Sequence, residues 1–137
     1  MRPSALRRRG RAGGPAPPRV ALPVALRNAL IHHWLFDADF MHRLALKPAA
    51  RGDVLHVAGC LFRVAAALVQ VLFAANDTWF LNEKGALEAT RGFERCPVGF
   101  ADACSDLLAA PGGDAAALET SVARAGDLLS QIHDLVG

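Results

Sequence analysis

Between Asp53 and Asn76 the chain reads DVLHVAGCLFRVAAALVQVLFAAN, and from Val54 to Ala75 its only clearly polar side chains are His56, Arg63 and Gln70. These stand seven apart, and Asp77 continues the series. Seven residues is close to two helical turns, so the four stack in one narrow line that drifts by only ~20° per step. A helix lying on a protein surface carries a broad polar face. A thin polar thread on an otherwise apolar helix predicts instead the central helix of a bundle, packed nearly all round. The thread should then look into a groove, an interface or an interior polar site.

The flanking sequence supplies further helices. Ile31, Trp34, Ala38, Met41 and Ala45 recur at steps of three and four, widened by Leu30, Leu35 and Leu44. This pattern predicts a helix from Val24 to about Leu46, with Pro23 at its start and Pro48 beyond its end. Asp53 should cap the central helix. After it, Asn82 is placed to cap a short helix from Glu83 to Arg91, closed by Gly92, and Pro97 to open another reaching Ala110. Asp114 should cap the last helix, where Leu118, Val122, Ala125, Leu129, Ile132 and Val136 alternate steps of four and three. No strand pattern interrupts this. The expected fold is all-α, an antiparallel bundle of four main helices plus one short one over residues 23–137.

Charge divides the chain differently. Residues 1–22 hold six arginines and no acid, together with Pro and Gly, and compose a leader expected to be disordered. Its arginines could hold nucleic acid weakly, through phosphate charge alone, because no aromatic residue is interleaved for base stacking. The remaining nine basic residues face all thirteen acids, so the helical body is net acidic. Three cysteines without a Cys-x-x-Cys pair fit a reducing cytoplasm better than a disulfide framework. Val54–Ala75 is long enough to span a bilayer, yet Arg63 near its middle would cost about 2.5–3.5 kcal/mol there, and no membrane role is expected.

Candidate chemistry is sparse. His32, His33, Asp37, Asp39 and His42 crowd the first helix, but spacing fixes no third ligand beside His33 and Asp37, and no metal site is expected. Ser105 and Ser121 lie in helical sequence without an elbow motif, and no Gly-rich phosphate loop occurs. One constellation remains: Arg63, Gln70, Asn76 and Asp77 on the thread and its end, then Asn82, Glu83 and Lys84 beside Trp79 and Phe80. Lysine can hold a phosphate there, and a carboxylate can orient or deprotonate a hydroxyl. The plainer reading makes Asn82 a cap, Glu83 a favourable helix-start charge and Lys84 a solvated cation.

Five words in the chain, Arg51-Gly52-Asp53, Gly59-Cys60-Leu61-Phe62-Arg63, Gln70-Val71-Leu72-Phe73-Ala74, Asn76 and Leu81-Asn82-Glu83-Lys84-Gly85, carry a resemblance. Together they resemble the C-terminal helical region of bacterial nucleotidyltransferase-domain proteins, relatives of the kanamycin-type aminoglycoside nucleotidyltransferases. The similarity runs from near Leu26, more loosely, to Leu135. In that family an α/β domain with a Gly-Ser turn and paired strand-borne aspartates binds the magnesium of a nucleoside triphosphate, and the helical domain contributes to the acceptor pocket. Before Leu26 this chain has only the leader, so those metal ligands have no counterpart here. The resemblance implies Glu83 as a candidate base and Arg63, Asn76, Asn82 and Lys84 as substrate- or nucleotide-binding residues. It implies an accessory domain, inactive alone, that completes a nucleotidyl-transfer site in trans with a catalytic domain. A helical protein–protein interaction module, partnered by a second copy or another chain, is the alternative.

Overall fold

The computed structural model describes residues 20–137; most of the leader, 1–19, lies outside the described residues. Five helices follow: α1 (Val24–Ala50), α2 (Val54–Ala75), α3 (Ala86–Ala89) running into a 3-10 turn at Thr90–Gly92, α4 (Phe100–Ala109) and α5 (Ala115–Val136). No strand is present among the described residues. Four main helices and one short one therefore make an all-α bundle.

The α1–α2 hairpin turns on paired end motifs. α1 closes with Asp53 N–H donating to the Pro48 carbonyl and Gly52 N–H to that of Ala49, with Gly52 left-handed at φ 71°. These two bonds satisfy carbonyls that a helix end leaves open, and the left-handed residue between them favours glycine. Asp53 then starts α2, its carboxylate accepting the His56 N–H at 3.2 Å. α2 ends the same way, with Thr78 N–H on Phe73 O and Asp77 N–H on Ala74 O. Here the left-handed residue is Asp77, at φ 51°, the one non-glycine with positive φ among the described residues.

α1 packs against both α2 and α5, and α2 also touches α5 and α4. Ion pairs fix the register: Arg27 with Asp77 and Asp37 with Arg63 run α1 antiparallel to α2. Similarly, His42 meets Val122 and Asp39 meets His133, which runs α1 antiparallel to α5. Leu61, Leu68, Leu72, Phe100, Leu118 and Ile132 form the heart of the core. Each such side chain contributes about 1.5–3 kcal/mol by leaving water. The α5 seam from Leu118 to Ile132 is buried as its spacing requires.

Several boundaries differ from the sequence expectation, each for a local reason. α1 does not stop before Pro48 but runs through it to Ala50. Proline in the last turn forfeits only one bond, and both Pro48 and Ala49 are buried. The short helix starts at Ala86 rather than Glu83, because Gly85 is left-handed at φ 66°. Asn82 accordingly caps no helix; its Oδ1 closes a tight turn by accepting Lys84 N–H at 2.9 Å. α4 likewise starts at Phe100, after left-handed Gly99, and not at Pro97. The leader's final residues are engaged rather than free: Leu22 is buried, and the Val20 carbonyl accepts the Trp79 indole N–H at 2.9 Å.

α2 is central, as expected, but not wrapped along its whole length. From Ala67 to Ala75 nearly every side chain is buried, whereas Leu55, Gly59 and Phe62 face outward. Leu44 of the α1 stripe is also exposed, with Phe36 and Phe40, whose rings stack with centroids 6.5 Å apart. Val54–Ala75 is the one described helix long and apolar enough to cross a membrane, and 67% of its most apolar window is buried inside the bundle.

Candidate functional site

The polar thread of α2 stitches that helix to α1. An Arg63 guanidinium nitrogen reaches both Asp37 carboxylate oxygens, at 3.1 and 3.2 Å. Two turns further along α2, then just past its end, Gln70 is half-buried and Asp77 accepts Arg27 at 3.1 and 3.3 Å. His56, at the other end of the line, is exposed. Of the four thread positions, Arg63 and Asp77 thus meet partners on α1, while among the described residues Gln70 and His56 do not.

Beside this seam lies a groove with a volume of about 350 Å³. Its floor is the outward stripe of α2, with Phe62, Arg63, Ala66, Val69 and Gln70. Trp34 and Asp37 of α1 form one wall. The other is built by the 80–87 segment and α4, through Phe80, Glu83, Leu87, Cys104 and Leu108. Phe73, buried in α2, holds that segment in place by meeting Phe80 and Phe93 edge-to-face at 5.2 and 4.9 Å. The Trp34 indole N–H is buried without a hydrogen-bond partner. That leaves a desolvated donor at the wall, a cost of about 1–3 kcal/mol.

The structure brings two of the five sequence-selected site residues, Arg63 and Glu83, to this groove. Asn76 stands at the end of α2 with its amide engaged: Nδ2 donates to the carbonyls of Leu72 and Arg95, each at 2.8 Å, and Oδ1 accepts Arg95 N–H at 2.9 Å. Arg95 in turn donates to Ala75 O and Leu135 O, tying the same point to α5. Asn82 and Lys84 are exposed and lie off the groove lining. Trp34, Asp37 and the apolar walls are the groove residues that the sequence did not single out as a site. Antiparallel pairing of two helices joined by a short turn would have set Asp37 opposite Arg63, the one signal available in advance.

The titratable cluster on α1 disperses into separate pairings. Asp37 goes to Arg63, Asp39 to His133 at 3.1 Å, and His42 Nε2 lies 3.0 Å from the Val122 carbonyl oxygen. His33 stands edge-on to Trp34. Residues two apart on a helix point away from one another, so Asp37 and Asp39 serve different neighbours. Among the described residues no three His, Cys, Asp or Glu side chains converge as metal ligands. Magnesium needs several converging oxygens. The donor set of these residues therefore does not fit the metal that the resemblance implies.

Cys104 sits under the groove, buried, and its thiol is pushed up to about 12 by burial and secondarily by Cys96. Burial also raises Cys60, against the opposing pull of Arg63. Such thiols stay protonated near neutrality and are poor nucleophiles. On the surface, Arg91 joins Glu88 to Asp102, holding the Asp102 carboxyl below its usual range and bracing the 80–92 segment against α4.

What these features define is a helical bundle with a one-sided groove of mainly apolar lining. Comparison with protein-family models, curated proteins and solved structures gives no match to the chain.

Proposed function

We propose that the chain is the acceptor-side helical domain of a bacterial, cytoplasmic nucleotidyltransferase-like protein, inactive alone and completing its site in trans. The observation that supports this is the groove, in which Arg63 of the α2 thread and Glu83 of the following segment line one space. A carboxylate at the rim can orient or deprotonate an acceptor hydroxyl, provided a phosphoryl centre is presented from outside. Lys84, next in sequence and exposed, is free of ion pairs among the described residues and would meet a phosphate carried by that partner. Nucleoside triphosphate and magnesium belong on the partner, since this chain's described donors do not converge. The test is reconstitution with a separately expressed nucleotidyltransferase catalytic domain, following pyrophosphate release. Neither component alone should release it. The mixture should, and Glu83→Ala or Lys84→Ala should lower the rate. Rates left unchanged by both variants, or turnover by this chain alone, would end the proposal.

A second reading, an interaction module, draws on a different observation. Phe36, Phe40, Leu55 and Phe62 leave large apolar side chains exposed on the α1–α2 hairpin, the surface expected of a protein contact. A catalytic domain or a second copy of the chain would serve. A 1:1 complex that forms without any transfer activity would favour this reading over the first.

A further inference from the structure

The chemistry of the groove restricts what it can hold more closely than the resemblance does. Its lining is dominated by Trp34, Phe62, Ala66, Val69, Phe80 and Leu108. Four polar side chains interrupt it: Asp37, Arg63, Gln70 and Glu83. Asp37 and Arg63 pair through one guanidinium nitrogen and offset each other's charge. Gln70 makes no side-chain hydrogen bond to the described residues, and Glu83 has no ion-pair partner among them. The groove thus presents an apolar surface, one amide and one uncompensated negative charge, the Trp34 indole N–H being shielded from it. At about 350 Å³ it stands near the small end of ligand pockets.

A kanamycin-like acceptor matches this poorly. Such a molecule carries a donor or acceptor on most of its carbons and several cationic amines. Enclosed against alanine, phenylalanine and leucine, most of those groups would lose water without gaining a partner, at about 1–3 kcal/mol each. An anionic ligand is opposed by Glu83, and the charge of Arg63 is offset by Asp37. What matches is a molecule with a compact apolar or aromatic body and a single protonated amine. The body would lie against Phe62 and Ala66, offset-stacked or edge-on to the rings of Trp34 and Phe80. The ammonium would sit toward Glu83, with Gln70 as the accompanying polar contact.

We infer that the groove between α1, α2 and the 80–87 segment is a binding site for a small amphipathic amine rather than for a polyhydroxylated polycation. The inference rests on reading the groove as an acceptor pocket. Its test needs no catalytic domain, so failure here leaves the reconstitution result standing, and the converse also holds.

Two tryptophans make the test direct. Trp34 walls the groove, whereas the Trp79 indole donates to Val20 outside it, so two indole N–H signals in a ¹H–¹⁵N spectrum report inside and outside. The full chain is titrated with phenylbutylamine, phenylbutanol, phenylbutyrate and kanamycin. Phenylbutylamine should move the Trp34 signal and leave that of Trp79 in place, with a Kd on the order of 1 mM or below. Phenylbutanol should bind about two- to fivefold more weakly, as loss of one solvent-exposed ion pair allows. Phenylbutyrate should be weaker still, and kanamycin should leave Trp34 unmoved. Glu83→Gln should erase the preference for amine over alcohol. Ala66→Phe, at a half-exposed floor position, should abolish binding of both while circular dichroism stays unchanged. Equal titration by amine and alcohol overturns the inference. So does a Trp34 response to kanamycin at lower concentration, or no response to phenylbutylamine up to ~10 mM, a range that brackets the expected affinity.

Discussion

Two neighbouring positions on α2 separate the bundle's core from its groove: Leu68, at 0% exposure, and Gln70, half-buried on the groove floor. Replacing Leu68 by alanine removes a fully buried isobutyl group and leaves a void among rigid helices. Such changes cost about 2–5 kcal/mol, with the void adding to the lost transfer energy. Total stability for a domain of this size is on the order of 5–15 kcal/mol, so Leu68→Ala should still fold. Leu68→Asp adds an unpaired buried carboxylate and should not. Gln70→Ala removes a side chain with no buried partner and should change stability by less than about 0.5 kcal/mol. Urea titration followed by circular dichroism at constant pH reads these differences directly. With a slope of about 1–3 kcal/mol per molar, a loss near 3 kcal/mol lowers the midpoint by roughly 1–3 M. Equal midpoint shifts for Leu68→Ala and Gln70→Ala, or a loss below ~1 kcal/mol for the former, would refute the packing described here.

Three further outcomes follow from particular geometries. Asp77 holds a left-handed conformation and pairs with Arg27, so Asp77→Ala should cost about 1–2 kcal/mol while Asp77→Gly, relieved of backbone strain, costs distinctly less in the same titration. Gly112, at φ 126°, has no room for a side chain, since an added Cβ would lie 2.8 Å from the Ala117 Cβ; Gly112→Ala should lower the thermal midpoint by several degrees, about what a loss of 1–2 kcal/mol produces. Cys104 keeps its proton in the folded state up to about 12 but loses it near the ordinary thiol value when unfolded. Its contribution is therefore complete below the unfolded value and declines as pH rises between the two. Stability should fall more steeply above pH ~9 in the native chain than in Cys104→Ala, measured by urea midpoints across that range.

The sequence was most informative where one periodicity governs many residues. The α5 seam and the caps at Asp53 and Asp114 follow from spacing and local hydrogen-bonding chemistry, whereas of the α2 thread only Arg63 and Asp77 find partners on α1 among the described residues. Boundaries failed where a single backbone angle decides them. Gly85 and Gly99 adopt left-handed angles that postpone α3 and α4, and nothing in their neighbours' composition announces this. Pro48 misled in the opposite sense, because burial of the last α1 turn outweighs one missing bond. The groove was legible only in half. Arg63 and Glu83 stood out as polar groups in conspicuous places, but Trp34, Asp37 and Leu108 reach it through tertiary packing of distant segments. Asn76 illustrates the converse: an amide eye-catching in sequence is occupied by backbone groups nineteen residues away.

That occupied amide has an architectural effect. The chain leaves α2 at Asn76 and passes the same point again at Arg95, and one side chain fastens both while Arg95 secures them to α5. The segment between is a buckled excursion whose ends are set independently of its length. The excursion carries Phe80, Glu83 and Leu87, one wall of the groove, while α1 and α2 supply the rest. Exposed positions such as Leu81, Asn82 and Lys84 can thus be exchanged inside the buckle while the main helices keep their register, provided Phe80 and Phe93 still close on Phe73 and Ala86 and Thr90 stay buried. One short segment is thereby divided along its length, its inner residues belonging to the core and its outer ones open to exchange.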